Sequence, residues 1–207
     1  MSMIRDEERQ QRAAEEPIVG GLPEVPGIGA AMALTPALGV HLRGLADALL
    51  VDDFPGATLR RHERELLATA VSAANGCFFC MDSHGAFATA LLERSGDVDG
   101  VAVVEEAKGG TSDGFDPKMQ TLLHIARTVR RDPLALGARD VDAARAAGAT
   151  DSDVQLAVLI AAAFSMYNRM VDGLRARTPG DPAMFRTRAA EIAESGYSAP
   201  PSRASAR

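Results

Sequence analysis

The chain has 207 residues, of which 46% are hydrophobic, and its formal net charge is −6. This length and composition are typical of one domain with a proper hydrophobic core, or of two small domains. No uninterrupted apolar run approaches the roughly 20 residues that cross a bilayer. The acidic balance argues against a general nucleic-acid-binding surface. The first residues lack the apolar core of a secretory signal, so we expect a cytoplasmic protein.

Both ends of the chain are expected to lie outside the folded domain. Residues 1–30 are predicted to form a flexible N-terminal arm, because the first half is charged and the second half is rich in Pro and Gly. Residues 197–207 are predicted to form a disordered tail. Residues 31–196 are therefore expected to form a single domain.

Between these ends, hydrophobic spacing predicts helices and no convincing strand. We expect three helices to begin with a cap residue followed by proline: Thr35-Pro36, Asp116-Pro117 and Asp181-Pro182. Ser152 and Gln155 resemble a capping box that opens a long helix, apolar on every side and therefore central. A faint similarity between residues 66–85 and 156–174 favours an internal duplicated helical unit.

Both cysteines of the chain lie just after a predicted helix break at Asn75-Gly76. Cys77, Cys80 and His84 are spaced three and four residues apart, so they share one face of the next helix. On the preceding helix, Glu65 begins a polar stripe that leads towards the break. If the two helices pack as a hairpin, Glu65 lies near Cys77 and His84.

These residue types suit thiol chemistry. Attack on a peroxide O–O bond requires a thiolate, and a second thiol then resolves the sulfenic acid as a disulfide. A histidine one helical turn away can carry the proton, and a buried carboxylate can orient that histidine. Because a helix N-terminus favours a thiolate, position alone predicts Cys77 as the nucleophile.

The pattern Glu-x11-Cys-x2-Cys-x3-His resembles the alkylhydroperoxidase D / carboxymuconolactone decarboxylase superfamily. More closely, it resembles the branch called peroxidase-related enzymes, as does the segment YNRMVDGL at residues 167–174. The likeness spans roughly residues 35–178. It implies an all-α, alkylhydroperoxidase D-like (AhpD-like) helical bundle that assembles as a homo-oligomer, as a dimer, trimer or hexamer.

The resemblance also implies residue roles. Cys80 is the peroxidatic thiol, Cys77 the resolving thiol, and Glu65 and His84 form a proton relay. We follow this order over the helix-position argument, because Cys80 is closer to His84 along the helix. One departure is Phe79, which stands where alkylhydroperoxidase D has a second histidine, so the relay is one member short. The peroxidase-related branch often lacks that histidine too.

For the reaction, the resemblance implies reduction of hydrogen peroxide or an organic hydroperoxide. The disulfide is then reduced by a dithiol or by a thioredoxin- or lipoyl-type protein. No bound metal, haem, flavin or nicotinamide is implied. The alternative functions are a non-redox carboxymuconolactone decarboxylase-like enzyme, or a redox-sensing oligomeric protein without turnover. The Cys-x-x-Cys pair counts against a decarboxylase, because decarboxylases of the superfamily do not depend on one.

Other interpretations of the cysteines stay open. They can be two small buried apolar residues, or part of a structural zinc site with four ligands: Cys77, Cys80, His84 and Glu65. Covalent haem attachment is excluded, because Met81 occupies the position where that motif needs histidine. Asn168, Arg169 and Asp172 lie at the end of the long helix and can reach either the site or an interface.

Overall fold

A computed structural model of the protein describes residues 2–96 and 99–198, and over these residues the fold is all α, as predicted. Its helices are α1 (Ser2–Ala13), α2 (Ile28–Leu34), α3 (Pro36–Leu50), α4 (Arg61–Asn75), α5 (Phe78–Ser95), α6 (Gly100–Gly109), α7 (Pro117–Arg131), α8 (Ala138–Ala146), α9 (Asp151–Gly173) and α10 (Arg186–Ser195). Two short 3₁₀ turns lie at Pro133–Ala135 and Pro182–Phe185. No strand occurs within the described ranges.

The predicted helix starts at proline are confirmed at two of three positions. Helices α3 and α7 begin at Pro36 and Pro117, and Asp116 accepts a hydrogen bond from the amide of Met119 at 3.0 Å. At Asp181-Pro182 the chain instead forms a 3₁₀ turn, and α10 begins only afterwards, at Arg186.

The predicted capping box of α9 is wrong by two residues. The box is formed by Thr150 and Asp153, because the Thr150 hydroxyl accepts from the Asp153 amide at 3.0 Å and Asp153 accepts from the Thr150 amide at 2.9 Å. The same carboxylate accepts the amides of Thr58 and Leu59 at 2.6 and 3.0 Å. This tertiary contact, invisible in local spacing, decides where the helix begins.

Helix α9 is the central helix, as its sequence predicted. Leu156, Ile160 and Phe164 are buried, and α9 packs against α4 and α7. Among the described helices it is the one long and apolar enough to cross a membrane by length and composition. Most of its large apolar residues pack inside the protein instead, whereas Leu159 and Met166 are 39% and 38% exposed.

Helices α4 and α5 form the antiparallel hairpin that positions the cysteines. Gly76 ends α4 in the left-handed conformation, with φ of 74°. The Cys77 amide then donates to the carbonyl of Ser72 at 3.1 Å, which closes the turn between the helices. The predicted break and the predicted packing of the two helices are both confirmed.

The N-terminal residues differ from the predicted flexible arm. Helix α1 docks on α5 because the Arg9 guanidinium donates to the buried carboxylate of Asp82 at 3.0 Å. In α2, Ala30 is fully buried. The local sequence does not predict these contacts, because charged residues near a terminus are expected to be solvated when their partners are distant in sequence. The domain boundary at residue 30 stays a prediction.

The C-terminal end is also partly packed. Helix α10 lies against α5. Tyr197 and Ser198, predicted to belong to the disordered tail, fold back so that their amides donate to Asp47 at 2.6 and 2.9 Å. The rest of that predicted tail, residues 199–207, lies outside the described residues.

Candidate active site

The structure brings the two cysteines together, as free thiols buried at the start of α5. Cys77 is the N-cap residue of the helix and Cys80 lies in its first turn. Both pack in a small apolar cluster with Ala30, Val171 and Ala176, so the N-terminal segment and the end of α9 cover the sulfurs.

The surroundings of Cys77 disfavour its ionisation. The pKa of Cys77 is raised by its hydrogen bond with Cys80, then by burial, and then by the nearby negative charges of Cys80 and Asp172. A Cys77 thiol that keeps its proton can donate it to a thiolate on Cys80. The two sulfurs therefore ionise as a pair, with one proton held between them.

Asp172, on α9, reaches the cysteines. Burial raises the pKa of its carboxyl, whereas the contact with the Cys77 thiol lowers it. Asn168, one turn earlier, is buried and bonds Ser72 and Asn75 at 3.0 and 2.8 Å, so it fixes the end of α4. Arg169 points away, bonding the carbonyl of Ser165 within its own helix. The sequence does indicate that Asn168 and Asp172 share one face of the helix, because they are four residues apart.

The predicted relay pair is also brought together. The Nδ1 atom of His84 lies 2.7 Å from Oε2 of Glu65, whose side chain is fully buried. Since an ionised carboxylate can only accept, Nδ1 carries the proton that it donates to Glu65. In the neutral ring, Nε2 is then the basic nitrogen. Glu65 therefore sets which nitrogen of the imidazole can take a proton.

Tyr197 is a third member of this group that sequence reasoning missed. Its hydroxyl donates to Oε1 of Glu65 at 2.5 Å and lies 3.2 Å from Nδ1 of His84. Burial first, and then the charge of Glu65, raise the pKa of Tyr197 well above its usual value, so the hydroxyl stays a donor. The sequence signal was slight: one aromatic residue after Gly196 in a polar, Pro-rich end.

Aromatic rings fix the plane of the imidazole. Phe164 and Phe87 meet the His84 ring edge-on at centroid distances of 4.6 and 5.2 Å, and Tyr197 stacks on it at 5.8 Å. Phe79, in contrast, packs edge-on against Phe185 at 5.4 Å. Phe79 therefore makes its ring contact away from His84, and it also packs against the apolar cluster that contains both cysteines.

The thiol pair lies near His84 of the relay pair on α5, but no direct hydrogen bond joins the two pairs in the described residues. Cys80 and His84 are one turn apart on α5, yet within the described chain no hydrogen bond joins the imidazole to either sulfur. No group of three or more His, Cys, Asp or Glu side chains in that part of the protein is placed to hold a metal ion. The four side chains therefore do not converge as the zinc alternative requires.

A surface cavity of about 220 Å³ lies elsewhere, at the C-terminal ends of α4 and α6. It is lined by Ala70, Ala73, Ala74, Lys108, Gly109, Gly110, Arg127, Arg130 and Arg131. Arg127 donates to the carbonyls of Ala107 and Thr111, so it serves the end of α6. None of the predicted site residues lines this cavity.

Comparison with known proteins identifies the central region of the chain. The model of the carboxymuconolactone decarboxylase family matches residues 36–128, which contain Glu65, both cysteines and His84 but not Tyr197. No curated protein sequence matches the chain significantly.

Two solved structures share the fold. An uncharacterized peroxidase-related protein from Ralstonia eutropha JMP134, described as an alkylhydroperoxidase AhpD core, is 26% identical, with a TM-score of 0.66 over 80% of this chain and 82% of its own. An uncharacterized peroxidase-related protein from Silicibacter sp. TM1040 is 22% identical, with a TM-score of 0.63 over 79% of this chain and 90% of its own. The second likeness, at this identity, concerns the fold alone.

Proposed function

Because residues 36–128 belong to the carboxymuconolactone decarboxylase family and the chain has the AhpD-like fold, we propose that it is a thiol-dependent peroxidase. One observation carries the proposal: two free, buried thiols lie three residues apart, one turn from a hydrogen-bonded Glu–His pair. Such a pair supplies the proton transfers that peroxide reduction by a thiol requires.

In the first step, the Cys80 sulfur attacks one oxygen of hydrogen peroxide or an organic hydroperoxide. The S–O bond forms as the O–O bond breaks, giving a sulfenic acid and a water or alcohol. The thiol proton passes to Nε2 of His84, directly or through the bound peroxide, and then to the leaving oxygen. Glu65 stabilises the imidazolium formed between these two transfers.

In the second step, Cys77 attacks the sulfur of the Cys80 sulfenic acid, and the hydroxyl leaves as water with the thiol proton. The disulfide is then reduced by an external dithiol, either a small molecule or a thioredoxin- or lipoyl-type protein. The raised pKa of Cys77 fits this order, because the resolving thiol stays protonated until the sulfenic acid has formed.

The test is peroxide consumption with a dithiol reductant, for the parent and for the variants Cys80→Ser and Cys77→Ser. Cys80→Ser should consume no peroxide. Cys77→Ser, assayed without the reductant, should reduce about one equivalent per subunit and then stop, because no second thiol of the site is left to resolve its sulfenic acid. Equal consumption by the parent and Cys80→Ser would overturn the assignment.

The family match favours a second candidate, a non-redox decarboxylase-like enzyme. Such an activity should survive in the double variant Cys77→Ser/Cys80→Ser, whereas a peroxidase should not. A redox sensor without turnover is distinguished by measuring oligomer size before and after oxidation, together with peroxide consumption.

We also propose that the protein is a cytoplasmic homo-oligomer. Two apolar side chains of α3, Leu38 and Leu45, lie seven residues apart and therefore on one face of the helix, and they are 50% and 39% exposed. A face of this kind is typical of a surface that another subunit covers. Sedimentation of the reduced protein tests the assembly, and a monomer at all concentrations would contradict it.

A further inference from the structure

We propose that Tyr197 is a positioning residue of the Glu65–His84 pair, and that it supplies the third relay member that Phe79 leaves missing. This inference deepens the proposed function and rests on it for its chemical meaning. It stands on the placement of one hydroxyl, delivered to a buried carboxylate by a segment outside the family-matched residues 36–128.

The two oxygens of the Glu65 carboxylate have separate donors. Tyr197 donates to Oε1 at 2.5 Å, and Nδ1 of His84 donates to Oε2 at 2.7 Å. Hydrogen bonds to the charged form of an acid favour that form, which matters most where water is excluded. Since Glu65 is fully buried, the tyrosine hydroxyl takes the place that a water molecule would occupy at an exposed carboxylate.

The backbone holds Tyr197 in this position. Asp47 accepts the amides of Tyr197 and Ser198 at 2.6 and 2.9 Å, so one side chain of α3 clamps the segment. Gly196, just before it, has φ of 73°, and a Cβ built there would lie 2.7 Å from Oδ1 of Asp47. Glycine is thus required both for the backbone conformation and for the close approach.

Few charged groups other than Glu65 act on the Tyr197 hydroxyl. The groups that act on the Tyr197 hydroxyl are Glu65, Arg61 and Asp47, and His84 stacks beside it. Arg61 is the cation among them, and it is held by the carbonyls of Ile192 and Ala193 at 2.9 Å each. The hydroxyl therefore acts mainly on Glu65, and through Glu65 on His84.

This placement has a consequence for pH dependence. The Tyr197 hydroxyl stabilises the form of the pair in which Glu65 is ionised and Nε2 of His84 is free to accept a proton. Without the hydroxyl, the pair as a unit takes up an extra proton at higher pH. The acidic limb of any rate that needs the basic pair should then move to higher pH.

The experiment compares Tyr197→Phe with Tyr167→Phe. The chain has two tyrosines, and the Tyr167 hydroxyl is also in a buried hydrogen bond, to the Leu42 carbonyl at 2.8 Å. Both variants lose one buried tyrosine hydroxyl, but only the first loses a bond to the relay. We expect Tyr197→Phe to raise the acidic limb of turnover by about one pH unit, and so to lower the rate about tenfold on that limb, with no such shift in Tyr167→Phe.

Two rates are measured as functions of pH: peroxide turnover, and alkylation of Cys80 by iodoacetamide in a Cys77→Ser background. Alkylation needs no catalytic cycle and follows the amount of Cys80 thiolate. A pair that holds its proton to higher pH places a positive charge near Cys80, so the alkylation limb of Tyr197→Phe should move to lower pH, opposite to its turnover limb. This readout tests the role of Tyr197 even if the parent reduces no peroxide. Superimposable profiles for Tyr197→Phe and Tyr167→Phe would overturn the inference and leave the peroxidase assignment standing. A parent without turnover, but with the shifted alkylation profile, would overturn only the proposed function.

Gly196→Ala is the second variant, in case Tyr197→Phe does not fold. It keeps the hydroxyl but displaces the segment that carries it, because alanine is strained at this φ and collides with Asp47. We expect each of the two pH profiles to shift in the direction expected for Tyr197→Phe. A folded Gly196→Ala protein with parental profiles would contradict the inference.

Discussion

At the scale of single residues, two carboxylates contact different members of the candidate site. Glu65 is fully buried and joined to His84 and Tyr197, whereas Asp172 contacts the Cys77 thiol from another helix. Each of the two proposed reacting sulfurs therefore has its own acid or base nearby.

Replacing Glu65 by Gln should reduce kcat/KM for peroxide by about a hundredfold, because general-base assistance typically contributes a factor of this size or more. Glu63→Gln is the matched control. Glu63 lies on the same helix, is also buried, and bonds the amide of Arg60 at 2.6 Å, where it caps α4. The Glu63→Gln variant should be less stable than the parent but should keep the parental activity per folded molecule. An equal loss of kcat/KM in both variants would contradict the role of Glu65.

The two tyrosines make stability depend on alkaline pH. Burial raises the pKa of Tyr167 to about 12, and burial with the Glu65 charge raises the pKa of Tyr197 well above its usual value. In the unfolded chain a tyrosine ionises near pH 10, at about its ordinary value. Their contribution to the free energy of unfolding is therefore full below about pH 10 and lost as the pH rises beyond it.

Urea unfolding between pH 9 and 12 measures this dependence, in steps of about half a pH unit so that the slope is resolved. Tyr167→Phe should flatten the slope, because one group with a raised pKa is removed. A stability that stays constant across this range would contradict the raised pKa values.

At the scale of elements, the α4–α5 hairpin depends on its turn. Gly76 has φ of 74°, and a Cβ built there meets no atom within 4 Å. A substitution by alanine would therefore meet only backbone strain, with no collision. Local spacing predicted this turn correctly, because Asn-Gly after a helical run is a strong local stop signal.

We expect Gly76→Ala to lower the free energy of unfolding by about 1 kcal/mol. Gly44→Ala is the opposite control, because Gly44 lies inside α3 and its Cβ would also meet open space. That change should stabilise the protein by up to about 1 kcal/mol, since alanine is the better helix former. Chemical denaturation measures both, and a shift of the same sign in the two variants would contradict the account.

At the scale of the whole molecule, features with a local cause were predictable from sequence. The stripe Cys77-Cys80-His84 and its partner Glu65 follow from helical spacing and one turn signal. Features that depend on distant contacts were not. Asp153 caps α9 in a register set by Thr58 and Leu59, and Arg9 docks α1 through Asp82.

The C-terminal segment is the clearest case of this kind. Nothing near Tyr197 in the sequence indicates a packed residue, because Asp47 and Glu65, which hold it, lie some 150 and 132 positions earlier. Composition correctly describes such a segment as polar and Pro-rich, but it cannot describe what the rest of the fold offers to bind it. Long-range hydrogen bonds of this kind become visible only in three dimensions.

Asp47 holds residues 196–198 against the candidate site, so the residues that match the family model do not contain all of that site. Residues 36–128 carry the thiols and the Glu–His pair, yet the hydroxyl that reaches this pair comes from nearly seventy residues further on. With Tyr197 in the role proposed above, a change confined to the C-terminal segment is expected to alter the pH dependence of this pair while the Cys-x-x-Cys helix stays the same. Sequence variation at that end of the chain is therefore expected to tune the proposed site without any change in its helices.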